Sequence, residues 1–133
     1  VVYAPALDIC YWAKQGEGAF RDGQKLPLKI VGQGNIYKVV ASRSHMSDET
    51  QAFIDAIDTN KEKELISIGS SLKICLIAEG ESDIYPRLGL TMEWDTGAAH
   101  AIIKESGKSI QSYTTPQFLY NKKNLLNSWF VTL

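Results

Sequence analysis

No apolar run in this chain approaches the ~18–20 residues that a membrane-spanning helix requires, which excludes that kind of embedding. Cysteine is scarce: Cys10 and Cys75 are the only two, one in a strand-like and one in a helix-like apolar context. They form no Cys-x-x-C pair for a metal or redox site, and two free buried thiols in a reducing, cytoplasmic compartment are expected. Net charge is scarce as well. Fourteen basic and fifteen acidic residues leave −1, so there is no basic field for a nucleic-acid polymer, although one small phosphate needs only a local site. Repeats, low-complexity segments, a glycine-rich P-loop and a Ser/His/Asp order are all missing. The opening "VVYAPALDIC" carries neither a charged leader nor a small-residue cleavage pattern. It reads as a strand already under way, and a piece of a longer chain is the expectation.

What is present suits one domain. At 133 residues with 44% hydrophobic content, the chain is long enough to bury a core of its own. Val1–Tyr3 and roughly Asp8–Lys14 read as strands divided by Ala4-Pro5, and Gly16, Gly18 and the Asp22-Gly23 turn make the first thirty residues hairpins. Pro27, Gly32 and Gly34 mark a change of style. From Ile36 onward strand alternates with helix. "IYKVVAS" precedes a helical pattern over Ser47–Ile57, and "ELISIG" precedes Leu72, Cys75 and Leu76 at helical spacing. The stripe ends at polar Glu79, and Gly80 is a helix stop. "DIYPR" is a short strand that Pro86 ends or places at an edge. A third helix is predicted over Trp94–Ser106, and "WFVTL" is a candidate last strand. This order predicts an α/β fold: residues 35–133 form a layered lobe with a mainly parallel sheet and flanking helices, and residues 1–34 are hairpins left from a second, antiparallel sheet.

In such sheets ligands bind beyond the carboxyl ends of the strands, where helix N-termini also point. Three strand-to-helix junctions there are rich in polar groups. "SRSH", Ser42 to His45, offers two hydroxyls, a guanidinium and an imidazole to a phosphate or ribose, or else it only caps the next helix. In "IGSSLK", Gly69 permits close backbone approach to a ligand and a serine can cap the helix. Lys73, in the first turn of that helix, opposes the helix dipole at a cost of roughly 0.3–1 kcal/mol. It makes better sense with an anion beside it than as a solvated lysine. In "YPRLGLTMEWDTGAAHAI", Asp95 stands near a helix start, where it can serve as a cap or as a carboxylate for a hard cation such as Mg²⁺. One carboxylate does not make a catalytic metal site. Glu93 is two positions away and does not share its face, and His100 is read as structural.

The segments "VVYAP", "GEGAF", "SRSH", "SIGSSLKICLIAEG", "YPRLG", "WDT" and "NSWFV" resemble the carboxyl-terminal part of the Mg²⁺-dependent phosphatases related to inositol monophosphatase. Among these the chain is most similar to the CysQ-type 3'(2'),5'-bisphosphate nucleotidases. The resemblance implies hydrolysis of the 3'-phosphate of adenosine 3',5'-bisphosphate to AMP and phosphate, in the setting of sulfur assimilation. It implies a Mg²⁺ contact at Asp95 and nucleotide contacts at Ser42, His45, Gly69 and Lys73. Two departures stand out. Gly97-Ala98-Ala99 replaces the usual Ala-Ala-Gly, and the family's upstream Asp-Pro-x-Asp-Gly-Thr metal motif does not occur. The chain is therefore expected to be inactive alone, and to form a homo-oligomer, if any, through an exposed lobe interface. An inositol- or sugar-phosphate phosphatase of the same superfamily, and a non-catalytic nucleotide-binding module, remain as alternatives.

Overall fold

A computed structural model describes residues 1–30, 32, 34–42 and 46–133. The first quarter is an antiparallel meander of β1 (Val2–Ala4), β2 (Ile9–Lys14), β3 (Gly18–Arg21) and β4 (Gln24–Lys25) in sequence order. Its tight connections use the turns expected from glycine and Asp22-Gly23, where Asp22 and Gly23 both take positive φ (48° and 82°).

Strand and helix then alternate as the sequence pattern requires. β5 (Ile36–Ala41) pairs in parallel with β6 (Glu62–Ser67) across α1 (Asp48–Asp55). The Ser47 hydroxyl caps α1 by accepting from the Thr50 N–H at 3.2 Å, and Asp48 and Glu49 suit the positive end of its dipole. α2 (Leu72–Glu79) follows β6 and stops at Gly80, whose φ of 81° only glycine adopts without strain. On the other side of β5, Val39 bridges in parallel to Ile84, just before β7 (Tyr85–Arg87).

α3 (Glu93–Glu105) then leads to β8 (Ile110–Ser112) and β9 (Phe130–Thr132). β9 lies between β7 and β8 and is antiparallel to both. The parallel arrangement thus holds through β6, β5 and Ile84, and the last strand inserts against it. Pro86 sits on β7, at the edge of that three-stranded group, where a missing N–H costs least. β8 is an addition to the sequence reading, since "IQS" between polar flanks gives no period to detect.

One core joins the meander to the helices. Tyr11, Ala19 and Leu26 pack with Ile74, Cys75, Ile77 and Ala78 of α2 and with Ala99, Ile102 and Ile103 of α3. Val39, Ala41, Ile54 and Ile84 form a second cluster between β5 and α1. Both cysteines are free, as expected, but only Cys75 is buried, Cys10 being partly exposed on β2, and burial pushes the Cys75 thiol up to about 12.

Glu79, read from sequence as the polar end of the α2 stripe, is itself buried. A carboxylate there needs partners. The Tyr11 hydroxyl and the Arg21 guanidinium both donate to its Oε2 at 2.8 Å. The meander is therefore fastened to α2 by an ion pair with a buried carboxylate and a part-exposed guanidinium, as well as by apolar contact.

Candidate functional site

A cleft of about 340 Å³ opens where β5, β7, α2 and α3 converge, and it is lined among others by Ser42, Ser70, Lys73, Arg87 and Asp95. The three polar junctions of the sequence thus meet in one place. Ser42 follows the end of β5, Ser70 lies in the turn before α2, Lys73 is in the first turn of that helix, and Asp95 lies in the first turn of α3. Gly69 precedes Ser70 at the same junction and is exposed, with open space where a Cβ would stand. His45 lies outside the described residues.

Lys73 is not the solvated lysine of the weaker reading, being only 8% exposed. Its ammonium makes no hydrogen bond or ion pair with the described residues and sits 5.9 Å from the centre of the Tyr85 ring. Burial first, and then repulsion from Arg87, hold its pKa below the ordinary lysine value. Arg87 was not singled out from the sequence as a site residue. Its Nη2 donates to the Leu90 carbonyl at 3.0 Å, which fixes the side chain against the turn after β7. The signal that could have found it is its place at the carboxyl end of a strand, which the reading of Pro86 as a strand end obscured. Burial pushes the Tyr85 phenol up to about 12, Arg87 opposes that shift and Asp95 adds to it. Tyr85 therefore lies within the fields of both charges. Two neighbouring cations, one of them buried and without an ion pair among the described residues, stand beside the N-terminus of α2 and make this wall of the cleft positive.

The opposite wall carries the carboxylate. α3 begins at Glu93, one residue earlier than the sequence pattern gives, so Asp95 occupies the third helical position and Met92 the N-cap. Asp95 nevertheless caps the helix, because its Oδ2 accepts from the Met92 N–H at 2.8 Å. Its other oxygen has no hydrogen-bond partner among the described residues. Ser71 is the N-cap of α2, but its hydroxyl does not cap that helix. It donates instead to the Asp95 carbonyl at 3.0 Å. Capping and ligation at Asp95 are thus compatible, one oxygen for each.

Glu93 is engaged elsewhere, accepting from the Asn121 and Lys122 N–H groups and from the Lys122 ammonium. His100 is half-buried, with Nδ1 2.9 Å from the Tyr120 hydroxyl, in keeping with a structural role. Among the described residues no three His, Cys, Asp or Glu side chains gather where they could hold a metal ion. Asp95 fits as one oxygen ligand of a hard cation, but a complete cation site does not fit these residues.

Comparisons with known proteins identify the family and the fold. The inositol monophosphatase family matches residues 1–129. The 3'(2'),5'-bisphosphate nucleotidase CysQ of Salmonella typhimurium is 38% identical over 132 residues, covering 98% of this chain and 52% of that protein. Its counterpart in Escherichia coli strain K12 is 36% identical over the same coverage of 98% and 52%. The crystal structure of CysQ from Bacteroides thetaiotaomicron superposes with a TM-score of 0.89 at 36% identity, over 98% of this chain and 55% of that one. The 2'AMP-bound SaIMPase-II structure, with a TM-score of 0.71 and 18% identity over 98% and 48% of the two chains, shares the fold. The chain spans about half the length of the curated relatives it matches. Matched along nearly its whole length, it belongs to the inositol monophosphatase family.

Proposed function

We propose that this chain supplies the nucleotide-binding side of a phosphatase that hydrolyses the 3'-phosphate of adenosine 3',5'-bisphosphate to AMP and phosphate. The observation that carries the reading is the buried Lys73 ammonium, without an ion pair among the described residues, beside Arg87 in the cleft that Asp95 also lines. A bisphosphate brings two phosphoryl groups, and this cleft has two different walls for them. Lys73 and Arg87 take one group as point charge and planar fork. The other lies towards Asp95, which would supply one oxygen ligand to a bound Mg²⁺, a cation that would neutralise the charge on that phosphate. Ser42, His45 and Gly69 complete the contacts to the nucleotide. The names of relatives at 38% and 36% identity support the same substrate class.

The reaction needs more carboxylates than Asp95, because a cation that activates water is held by several ligands. We therefore infer that the 133-residue chain releases no phosphate on its own. Residues 1–34 are read as part of an upstream lobe that would carry those ligands, and residues 35–133 as the carboxyl-terminal lobe. Disposal of the by-product of sulfate assimilation in the cytoplasm is the setting we propose, with any homo-oligomer formed through the exposed lobe interface.

Calorimetric titration of the chain with AMP and with inositol 1-phosphate tests the reading. AMP should bind at least about ten-fold more tightly, and Lys73→Met should cost about ten- to a hundred-fold, as a lost charged hydrogen bond does. Equal or tighter binding of inositol 1-phosphate would transfer the chain to the inositol- or sugar-phosphate branch. Vigorous Mg²⁺-dependent phosphate release by the chain alone would sink the inference of an incomplete site.

A further inference from the structure

The first turn of α3 is held from outside by the segment that leads to β9. Asn127 is 5% exposed. Its side-chain amide donates to the Thr91 hydroxyl at 3.1 Å, to the Met92 carbonyl at 2.8 Å and to the Thr96 hydroxyl at 3.2 Å. Two N–H groups shared among three acceptors lock the amide in one orientation. Its backbone N–H donates to the Thr91 carbonyl at 2.9 Å, and the Glu93 N–H reaches the Leu125 carbonyl at 3.0 Å. Thr91 and Thr96 both line the cleft, on either side of Asp95 in sequence.

A second set of bonds arrives from Tyr120. Its hydroxyl donates to the Thr96 hydroxyl at 3.2 Å, and the Thr96 hydroxyl donates to the Glu93 carbonyl at 3.3 Å. The Tyr120 proton is then committed, so the 2.9 Å contact with His100 must be a donation from Nδ1–H to the phenolic oxygen. The polarity runs one way, from His100 through Tyr120 and Thr96 to the helix start. With Asn127 also donating to Thr96, that hydroxyl gives one hydrogen bond and accepts two, which is its full complement.

From these contacts we propose that Asn127 and Tyr120 are positioning residues for Asp95: they fix the first turn of α3 so that the carboxylate is presented to the cleft opposite Lys73. The proposal rests on the reading of that cleft as the phosphate and cation site. Neither residue lines the cleft. The Asn127 Oδ1 is buried with no hydrogen-bond partner among the described residues, so the amide is held through its N–H donors alone. These and the satisfied Thr96 hydroxyl favour one arrangement of the turn, whereas a helix terminus without such support frays.

Amide hydrogen exchange on the full 133-residue chain tests this, with the parent compared with Tyr120→Phe, Asn127→Asp, Thr96→Val and Thr96→Ser. Asn127→Asp replaces the donor with an acceptor facing three acceptors. Tyr120→Phe removes one hydroxyl, and it remains available if the aspartate variant fails to fold. In both, the Asp95 and Thr96 amides should exchange about ten-fold faster, while Ile102 and Ile103 in the same helix stay within about two-fold of the parent. Thr96→Val should do the same and Thr96→Ser should restore slow exchange, a rescue that a space-filling role would not show. Equal acceleration along the whole of α3, or no acceleration at Asp95, would overturn the proposal. AMP is titrated into the same samples. If the parent does not respond to AMP, the functional reading falls, and the exchange rates still decide whether Asn127 and Tyr120 hold the turn.

Discussion

The hydroxyl of Ser71 donates to the main-chain carbonyl of Asp95 at 3.0 Å, joining two junctions that lie 24 residues apart in the chain. Ser71 begins the helix that carries Lys73, and Asp95 sits in the first turn of the next helix. The cationic and acidic walls of the cleft are thereby set against each other through one side chain. Ser71→Ala should lower stability by about 1 kcal/mol, the usual worth of such a bond, or about 3–5 °C in Tm. It should also weaken AMP binding several-fold by letting the two walls drift. Calorimetry and titration read both, and an unchanged AMP affinity would show that the walls are aligned by packing alone.

Lys73 sets stability against function. A buried cation with no ion-pair partner among the described residues is a cost to the fold, so Lys73→Met should raise stability by about 1 kcal/mol, at the low end for removing a buried charge, even as it weakens AMP binding about ten- to a hundred-fold. The same lysine leaves a mark on pH dependence. Its folded pKa is depressed below 10.5 by burial and then by Arg87. Between the depressed value and 10.5 the unfolded chain binds more protons than the native one, so stability rises with pH across that window. Below the window the cost of Lys73 is present in full. Urea denaturation at a series of alkaline pH values should show this rise in the parent and less of it in Lys73→Met. Lys108, whose pKa is also depressed by burial, contributes equally to both proteins and cancels. Parallel curves would show that Lys73 is not charged and desolvated in the native state.

Why three of these site residues were legible and others were not is a matter of distance along the chain. Ser42, Lys73 and Asp95 stand where strand hands over to helix or a helix begins, and the open α/β sheet collects such positions at one end whatever the loop lengths. Their gathering follows from local pattern and topology. The burial of Lys73 does not, because it involves Tyr85, twelve residues on, whose ring centre lies 5.9 Å from the ammonium. Asn127 and Tyr120 reach Thr96 across 31 and 24 residues from a segment with no helical or strand period, so nothing local announces them. The burial of Glu79 escaped for the same reason: its partners Tyr11 and Arg21 come from the meander, 68 and 58 residues away. The order of strands was readable up to β7, and the antiparallel insertion of β9 was not, since edge and centre look alike in a three-residue strand.

His100 supplies an acid-side counterpart. Burial, and then the nearby Lys104, hold its pKa below 6.5. The native chain therefore binds fewer protons than the unfolded one between the depressed value and 6.5, and stability falls as the pH drops through that window. His100→Gln should remove this part of the acid sensitivity. Denaturation midpoints between pH 4.5 and 7.5 should converge for parent and variant at the acid end and separate, in favour of the parent, towards neutrality. A constant gap would mean that His100 is not the titrating group.

The bond between the meander and α2 should be strong in one direction only. Arg21 Nη1 and the Tyr11 hydroxyl share Glu79 Oε2, and the carboxylate side chain is only 6% exposed. Arg21→Met would leave that carboxylate with a phenol and no cation, at a cost of about 3 kcal/mol for a broken buried pair. Adding Glu79→Gln should return most of the loss, since the amide is neutral and still accepts from Tyr11. Thermal melts of the single and double variants give the coupling, and strict additivity would show that the pair contributes nothing as a pair.

Two glycines with nearly the same backbone angle should respond very differently to alanine. Gly80 ends α2 at φ 81°, and Gly107 lies just past α3 at φ 83°. A methyl group at Gly107 meets nothing within 4 Å, so Gly107→Ala carries only the left-handed backbone penalty of about 1 kcal/mol. A methyl group at Gly80 would overlap the carbonyl of Lys29. That backbone cannot swing aside cheaply, because the Leu28 and Lys29 N–H groups are both bonded to the Glu79 carbonyl, at 2.9 and 3.0 Å. The overlap would have to be relieved by breaking those bonds or unwinding the end of α2, which adds about 2 kcal/mol or more to the backbone term. Gly80→Ala should therefore lower Tm at least twice as far as Gly107→Ala. Equal shifts in the two melts would mean that the crossing of residue 29 over the end of α2 is not a feature of the folded protein.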